Sequence, residues 1–154
     1  MPTNVFVSFV HEDQEQMNSF RALAKNPNHK LVFQDRSLKE PVVDRAGTPL
    51  PYPPNERGSR PVRNEIKRLF DKATKMVVLV GESTHKSVWV NWEIKTFYDR
   101  KKSLPGRTRK RIRAMRIKDC ESAVLPPALT GRSTRPMNWD PEEIGKWFDE
   151  NPVG

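Results

Sequence analysis

Cys120 is the only cysteine among 154 residues, so no disulfide can close within the chain. No apolar run approaches the roughly 20 residues that a membrane-crossing helix needs. Nor does a positively charged start followed by an apolar segment open the chain, as a secretory leader would. These absences lead to the expectation of a soluble protein in a reducing cytoplasm. The repeated glycines of a phosphate-cradling loop or a dinucleotide fingerprint are also missing, since Gly81-Glu82-Ser83-Thr84 carries one glycine. That argues against a Rossmann dehydrogenase and a P-loop enzyme. The three histidines, His11, His29 and His85, form no recognised metal-ligand spacing, and no metal is expected.

What is present is a chain long enough for one core and too short for two folded domains. Only 35% of its residues are hydrophobic and 31% are charged, yet the apolar residues fall in short blocks, as in a folded domain with polar loops. A net charge of +9 calls for anionic partners: nucleic acid, an acidic membrane surface, or the phosphates of a small nucleotide.

The blocks alternate between two periods. Asn4 to Phe9 and Lys75 to Gly81 are runs of β-formers that read as buried parallel strands, and Leu31-Val32-Phe33, ending at Gln34-Asp35, reads as a weaker one. Between them, Met17, Phe20, Leu23 and Ala24 mark a helix over Asp13 to Lys25 that Asn26-Pro27-Asn28 stops. Val62, Ile66, Leu69, Phe70 and Ala73 mark a second helix over Val62 to Ala73. Ser87 can cap a third, which runs from Val88 through Tyr98 before Pro105-Gly106 ends it. A strand near Ile112 to Ile117 and a helix from Pro141 to Glu150 follow. Residues 41–61 hold six prolines and two glycines, which exclude helix and central strand and predict a long loop, either an active-site flap or disordered. A basic loop is expected over residues 100–111.

This alternation implies an α/β domain with an open parallel sheet covered by helices on both faces, with ligands bound beyond the carboxyl ends of the strands. A site should then gather around Ser8 to His11, Asp35 to Ser37 and Gly81 to His85. Glu93 lies four residues after Trp89 and four before Phe97, in one helical stripe with two aromatic rings. Either Glu93 is a functional carboxylate, or the helix rotates far enough to solvate it and leaves Trp89 and Trp92 as packing. Ser8, His11, Ser37 and Ser83 read equally as ribose or phosphate contacts and as plain caps and turn residues.

Ser8-Phe9-Val10-His11-Glu12-Asp13, Asp35-Arg36-Ser37-Leu38, Gly81-Glu82-Ser83-Thr84 and Ser87 to Ile94 arrive in the order seen in TIR-like domains. The chain resembles the Thoeris antiphage TIR-like proteins in particular. The likeness runs from about Asn4 to Tyr98 and is most specific over Gly81 to Ile94. It implies a single flavodoxin-like domain over residues 1–154 in a bacterial defence system. It also implies cleavage of the nicotinamide–ribose bond of NAD+, which enters as a substrate, with no cofactor. ADP-ribose would then be transferred, often onto itself, to give a cyclic signal for a separate effector protein.

Within that resemblance Glu93 matches the catalytic glutamate. Ser8, Phe9, His11, Asp35, Ser37, Ser83, His85, Trp89 and Trp92 become substrate-binding candidates. Protomers of the family often assemble to complete the site, so self-association is a further expectation.

Rival readings stay open. Plain hydrolysis of NAD+ to ADP-ribose would use the same residues, and a non-catalytic interaction module would keep the fold with Glu93 merely structural. Arg100-Lys101-Lys102 and Arg107 to Arg113 offer phosphate contacts for nucleic acid, but they lack the interleaved aromatics that single-strand binders favour. Nucleic acid is therefore not the expected partner, and a membrane is not either.

Overall fold

The two strongest apolar runs of the sequence become the central strands of one parallel sheet. In the computed structural model, which describes residues 3–26, 33–35 and 60–151, β1 (Asn4–Ser8) is followed by α1 (Gln14–Lys25) and β2 (Gln34–Asp35). Next come α2 (Arg60–Lys72), β3 (Lys75–Val80), α3 (Val88–Lys101), β4 (Ile112–Arg116), β5 (Met137–Asn138) and α4 (Pro141–Asp149). Among the described residues the sheet has five strands in the order β2-β1-β3-β4-β5, and every neighbouring pair is parallel. Register pairs Phe6 with Met76 and Val78 with Ala114. This is the strand order of a flavodoxin-like fold.

Side chains alternate across the pleat, so each strand feeds two cores. Phe6, Met76, Val78, Val80 and Ala114 pack with Ile66 and Phe70 of α2 and Ile94 and Phe97 of α3 on one face. Val5, Val7, Val77, Leu79 and Met115 pack with Met17 and Phe20 of α1 and Ile144, Trp147 and Phe148 of α4 on the other. All six residues of β3 are buried, as a strand covered on both faces requires.

Several boundaries depart from the sequence reading. The second strand is Gln34–Asp35, which pairs with Asn4 and Val5; of the expected Leu31-Val32-Phe33, only Phe33 is described, and it is buried in a core. The segment expected as a loop over 41–61 lies outside the described residues except for Arg60 and Pro61, and these two open α2. Proline fits a first helical turn, where no intrahelical partner awaits its missing N–H.

The basic segment 100–111 is not one loop. Arg100 and Lys101 complete α3, whose hydrogen bonding continues past Tyr98, and Thr108–Arg111 form a 3-10 turn with Arg111 buried. β5 was not foreseen, because two residues without alternation carry no strand signal. α4 begins where Asp140 accepts the Glu143 N–H at 3.1 Å, with Pro141 in its first turn. No described helix is long and apolar enough to cross a membrane.

Candidate active site

The helix that follows β1 covers one face of the sheet, and the helix that follows β3 covers the other. The chain therefore reverses direction between β1 and β3, and the crevice beyond their carboxyl ends is where ligands bind in such sheets. Ser8, the last residue of β1, stands at that carboxyl end and is 1% exposed.

α3 brings the second group. Ser87 caps it by accepting the Val90 N–H at 3.1 Å, and this start sets the helical phase. The buried stripe then runs through Val90, Glu93, Ile94, Phe97 and Lys101, and Glu93 points inward at 8% exposure. The Ser8 hydroxyl donates to Glu93 Oε1 at 2.9 Å. That single bond joins β1 to α3 across 85 positions of sequence.

Burial pushes the Glu93 carboxyl up to about 8, opposed only by the hydrogen bond from Ser8. No described cation pairs with it. A solvated Glu93 on a rotated helix, the alternative open from sequence, is excluded by this burial. A carboxyl held without a counter-ion near neutral pH is suited to meet a cationic ligand, whose arrival would favour its ionised form.

The remaining candidates divide. Trp89 and Trp92 stand edge to face with ring centroids 5.5 Å apart and pack, partly buried, beside the same core as Ile94 and Phe97. Phe9 follows Ser8 and lies under the Arg21 guanidinium, 6.0 Å from the ring centroid. Asp35 ends β2 and forms an ion pair with Arg21 Nε at 2.7 Å. The Ser83 hydroxyl donates to Glu12 at 3.0 Å.

His85 lies in the turn that leads to α3. Its Nδ1 is buried and has no hydrogen-bond partner among the described residues, and its carbonyl accepts from Asn91. His11 opens the 3-10 turn His11–Asp13 beyond β1. Ser37 lies outside the described residues. Strand order thus places the ends of β2, β1 and β3 side by side, while a direct bond to Glu93 is made by Ser8 alone among the described candidates.

Sequence reasoning missed the scaffold behind the crevice. The Gly81 N–H donates to the Thr84 hydroxyl at 2.8 Å, and that fully buried hydroxyl reaches Asp13 Oδ2 at 3.5 Å. A β-carbon on Gly81 would lie 2.6 Å from the Asp13 carboxylate, so a larger residue there would force Asp13 to move. Burial raises the Asp13 carboxyl, and the neighbouring Glu12 and Glu82 add to the rise, against the Thr84 bond that lowers it. Asn91 ties the same region together by donating to the carbonyls of His85 and Ser87 and accepting the Ala128 N–H at 3.0 Å.

Arg21 was missed as well. Its Nη2 is buried without a partner among the described residues, and a lone arginine in an amphipathic helix carries no signal of that. Among the described residues no group of three or more His, Cys, Asp or Glu is placed to hold a metal ion.

A search of curated proteins finds no match to this chain. The family model of the Thoeris protein ThsB, TIR-like domain, matches residues 6–121, which span β1 through β4 and include Ser8, Glu93 and the Gly81–Thr84 turn. Since that match covers well over half of the sequence, the chain belongs to the TIR-like domain family of the Thoeris defence protein ThsB.

Proposed function

We propose that this Thoeris-type protein is an NAD+-cleaving enzyme of ADP-ribosyl cyclase type, whose cyclic nucleotide product activates a separate effector protein. The observation that carries the reading is Glu93, a carboxylate buried on α3 at the end of β1, unpaired by any described cation and held by the Ser8 hydroxyl at 2.9 Å.

The chemistry suits one carboxylate. The bond between the ribose carbon and the nicotinamide nitrogen breaks with its electron pair leaving on nicotinamide. Because that nitrogen is already cationic in NAD+, nicotinamide departs neutral and needs no acid. Positive charge then builds on the ribose, where a nearby anion offsets it in a site of low dielectric.

Glu93 supplies that anion, and its protonation links binding to reactivity. In the empty site burial keeps the carboxyl mostly neutral at pH 7; the cationic nicotinamide ring favours loss of its proton, so the charge develops beside the substrate that requires it. Ser8 fixes the carboxylate's orientation by occupying Oε1. Cyclisation in place of hydrolysis needs water kept out while an internal nucleophile of ADP-ribose reaches the ribose carbon, and the paired rings of Trp89 and Trp92 offer an apolar wall for that.

The test is mass analysis of nucleotides from phage-infected cells that carry the wild-type protein or Glu93→Gln. The proposal expects a new ADP-ribose species, absent from the variant. Linear ADP-ribose alone would make the protein a hydrolase. Unchanged nucleotides together with intact protection would make it an interaction module and end the enzymatic reading.

A further inference from the structure

At the end of the sheet opposite the Ser8–Glu93 crevice, the amino ends of the strands meet two buried cations. Lys75, the first residue of β3, is 2% exposed, and Arg111, just before β4, is 7% exposed. Lys75 Nζ donates to the carbonyls of Trp147 and Glu150 at the end of α4. Arg111 donates from Nη1 to the Thr74 carbonyl at 3.3 Å and from Nη2 to the Pro105 carbonyl at 3.1 Å. Its Nε is buried and has no partner among the described residues. Neither cation forms an ion pair among the described residues.

Buried charges are ordinarily paired, because leaving water without a counter-ion is costly. Burial lowers the Lys75 ammonium, and the Arg111 charge adds to that fall, against the attraction of Glu150 and Asp149 and beside the Trp147 ring 4.6 Å away. Both cations line a cavity of about 360 Å3, together with Thr3, Thr74, Asp149 and Glu150. A second cavity of about 100 Å3 shares Lys75 and Glu150 with it. Neither is lined by any residue of the catalytic crevice.

The lining selects a ligand. The guanidinium fork and the ammonium match the oxygens of one phosphate group, and the buried Arg111 Nε is a further donor that a small shift of the side chain would turn to it. The Thr3 and Thr74 hydroxyls already donate to the carbonyls of Phe148 and Asn4, so they do not compete for that role. The exposed carboxylates of Asp149 and Glu150 oppose a ligand with anionic charge spread along it, and they accept hydrogen bonds from hydroxyls. The cavity also exceeds a bare phosphate and falls at the small end of ligand sites, which run from roughly 300 to 1,000 Å3.

We propose that this cavity is a second ligand site, which takes a small phosphorylated sugar by holding its phosphate on Arg111 and Lys75 and its hydroxyls on Asp149 and Glu150. The site is separated from the catalytic crevice by the length of β3, roughly 20 Å at about 3.3 Å per residue. It stands independently of the proposed NAD+ chemistry.

The test is titration of the full chain, at constant ionic strength, with ribose 5-phosphate, inorganic phosphate and ribose, followed by the NMR signal of the Arg111 Nε–H. The proposal expects a saturable shift with ribose 5-phosphate, a weaker one with inorganic phosphate and none with ribose. Arg111→Lys, which keeps the charge and the buried stem, should weaken ribose 5-phosphate about tenfold or more through loss of the fork. Glu150→Gln, an exposed change with little risk to folding, should narrow the preference for the sugar phosphate over inorganic phosphate. Glu93→Gln should bind as the wild type does. A shift that never saturates, or an affinity that Arg111→Lys leaves unchanged, overturns the site. Equal affinity for the two phosphates overturns the sugar.

Discussion

Glu93 concentrates the behaviour of the crevice in one proton. With its carboxyl pushed up to about 8, kcat/KM for NAD+ should rise about tenfold per pH unit below 8 and level off above it, because this ratio reports the free enzyme. The kcat profile should level off at a lower pH, since bound nicotinamide favours the ionised carboxylate. A kcat/KM profile that is flat between pH 6 and 9 would remove Glu93 from the role assigned to it. Ser8→Ala withdraws the one bond that stabilises the carboxylate, so the same profile should move to higher pH, and the rate at pH 7 should fall roughly tenfold for every pH unit the profile moves. A lower rate with an unmoved profile would mean that Ser8 acts on substrate rather than on Glu93.

Among the secondary-structure elements, the strand-to-helix turn between β3 and α3 sets where Glu93 points. Gly81, Thr84 and Asp13 lock it, and Gly81→Ala forces a methyl group onto a buried carboxylate. We expect a loss of about 1 to 3 kcal/mol in a denaturant titration. An unchanged midpoint would show that Asp13 can move aside. The amino end of α4 depends on a single side-chain cap, and Asp140→Ala should cost about 1 kcal/mol, or roughly 2–4 °C in Tm for a chain of this size. α4 lies beyond the residues matched by the family model, yet it buries Ile144, Trp147 and Phe148 against the sheet, so its loss should destabilise the fold.

For the whole molecule, two buried groups shape stability against pH in opposite senses. The folded state keeps the Glu93 proton from about 4.5, where the unfolded carboxyl releases it, up to about 8, so stability falls across that window. Lys75 is lowered from 10.5 to about 8, chiefly by burial; there the unfolded state holds the extra proton, and stability rises as pH climbs from 8 to 10.5. These two groups place a stability minimum near pH 8. Glu93→Gln removes the falling limb, so the variant should exceed the wild type in Tm most clearly at pH 8 and match it near pH 4.5. Thermal melts across that range check this, and equal Tm values at pH 8 would contradict the burial of a neutral carboxyl. Such a gain in stability on loss of the functional group is the usual signature of a strained site.

The blocks at Asn4–Phe9 and Lys75–Gly81 and the helical stripes of α1, α2 and α3 were legible because each repeats one period over enough residues to outweigh local propensity. The cap at Ser87 and the stripe holding Glu93 were legible for the same reason. The parallel sheet followed from the alternation of strands and helices, whereas its register was not legible, since backbone bonds between strands carry no trace in side-chain order. β5 was too short to show a period, and Arg60-Pro61 looked like loop because the two end a run rich in proline and glycine. Above all, the burial of Glu93, its bond to Ser8, and the holding of Lys75 and Arg111 on backbone carbonyls depend on which distant residues fill the space around them. Spacing along the chain shows where a charge lies on its helix or strand; only packing determines whether that charge meets water, a counter-ion or neither, and that sets its chemistry.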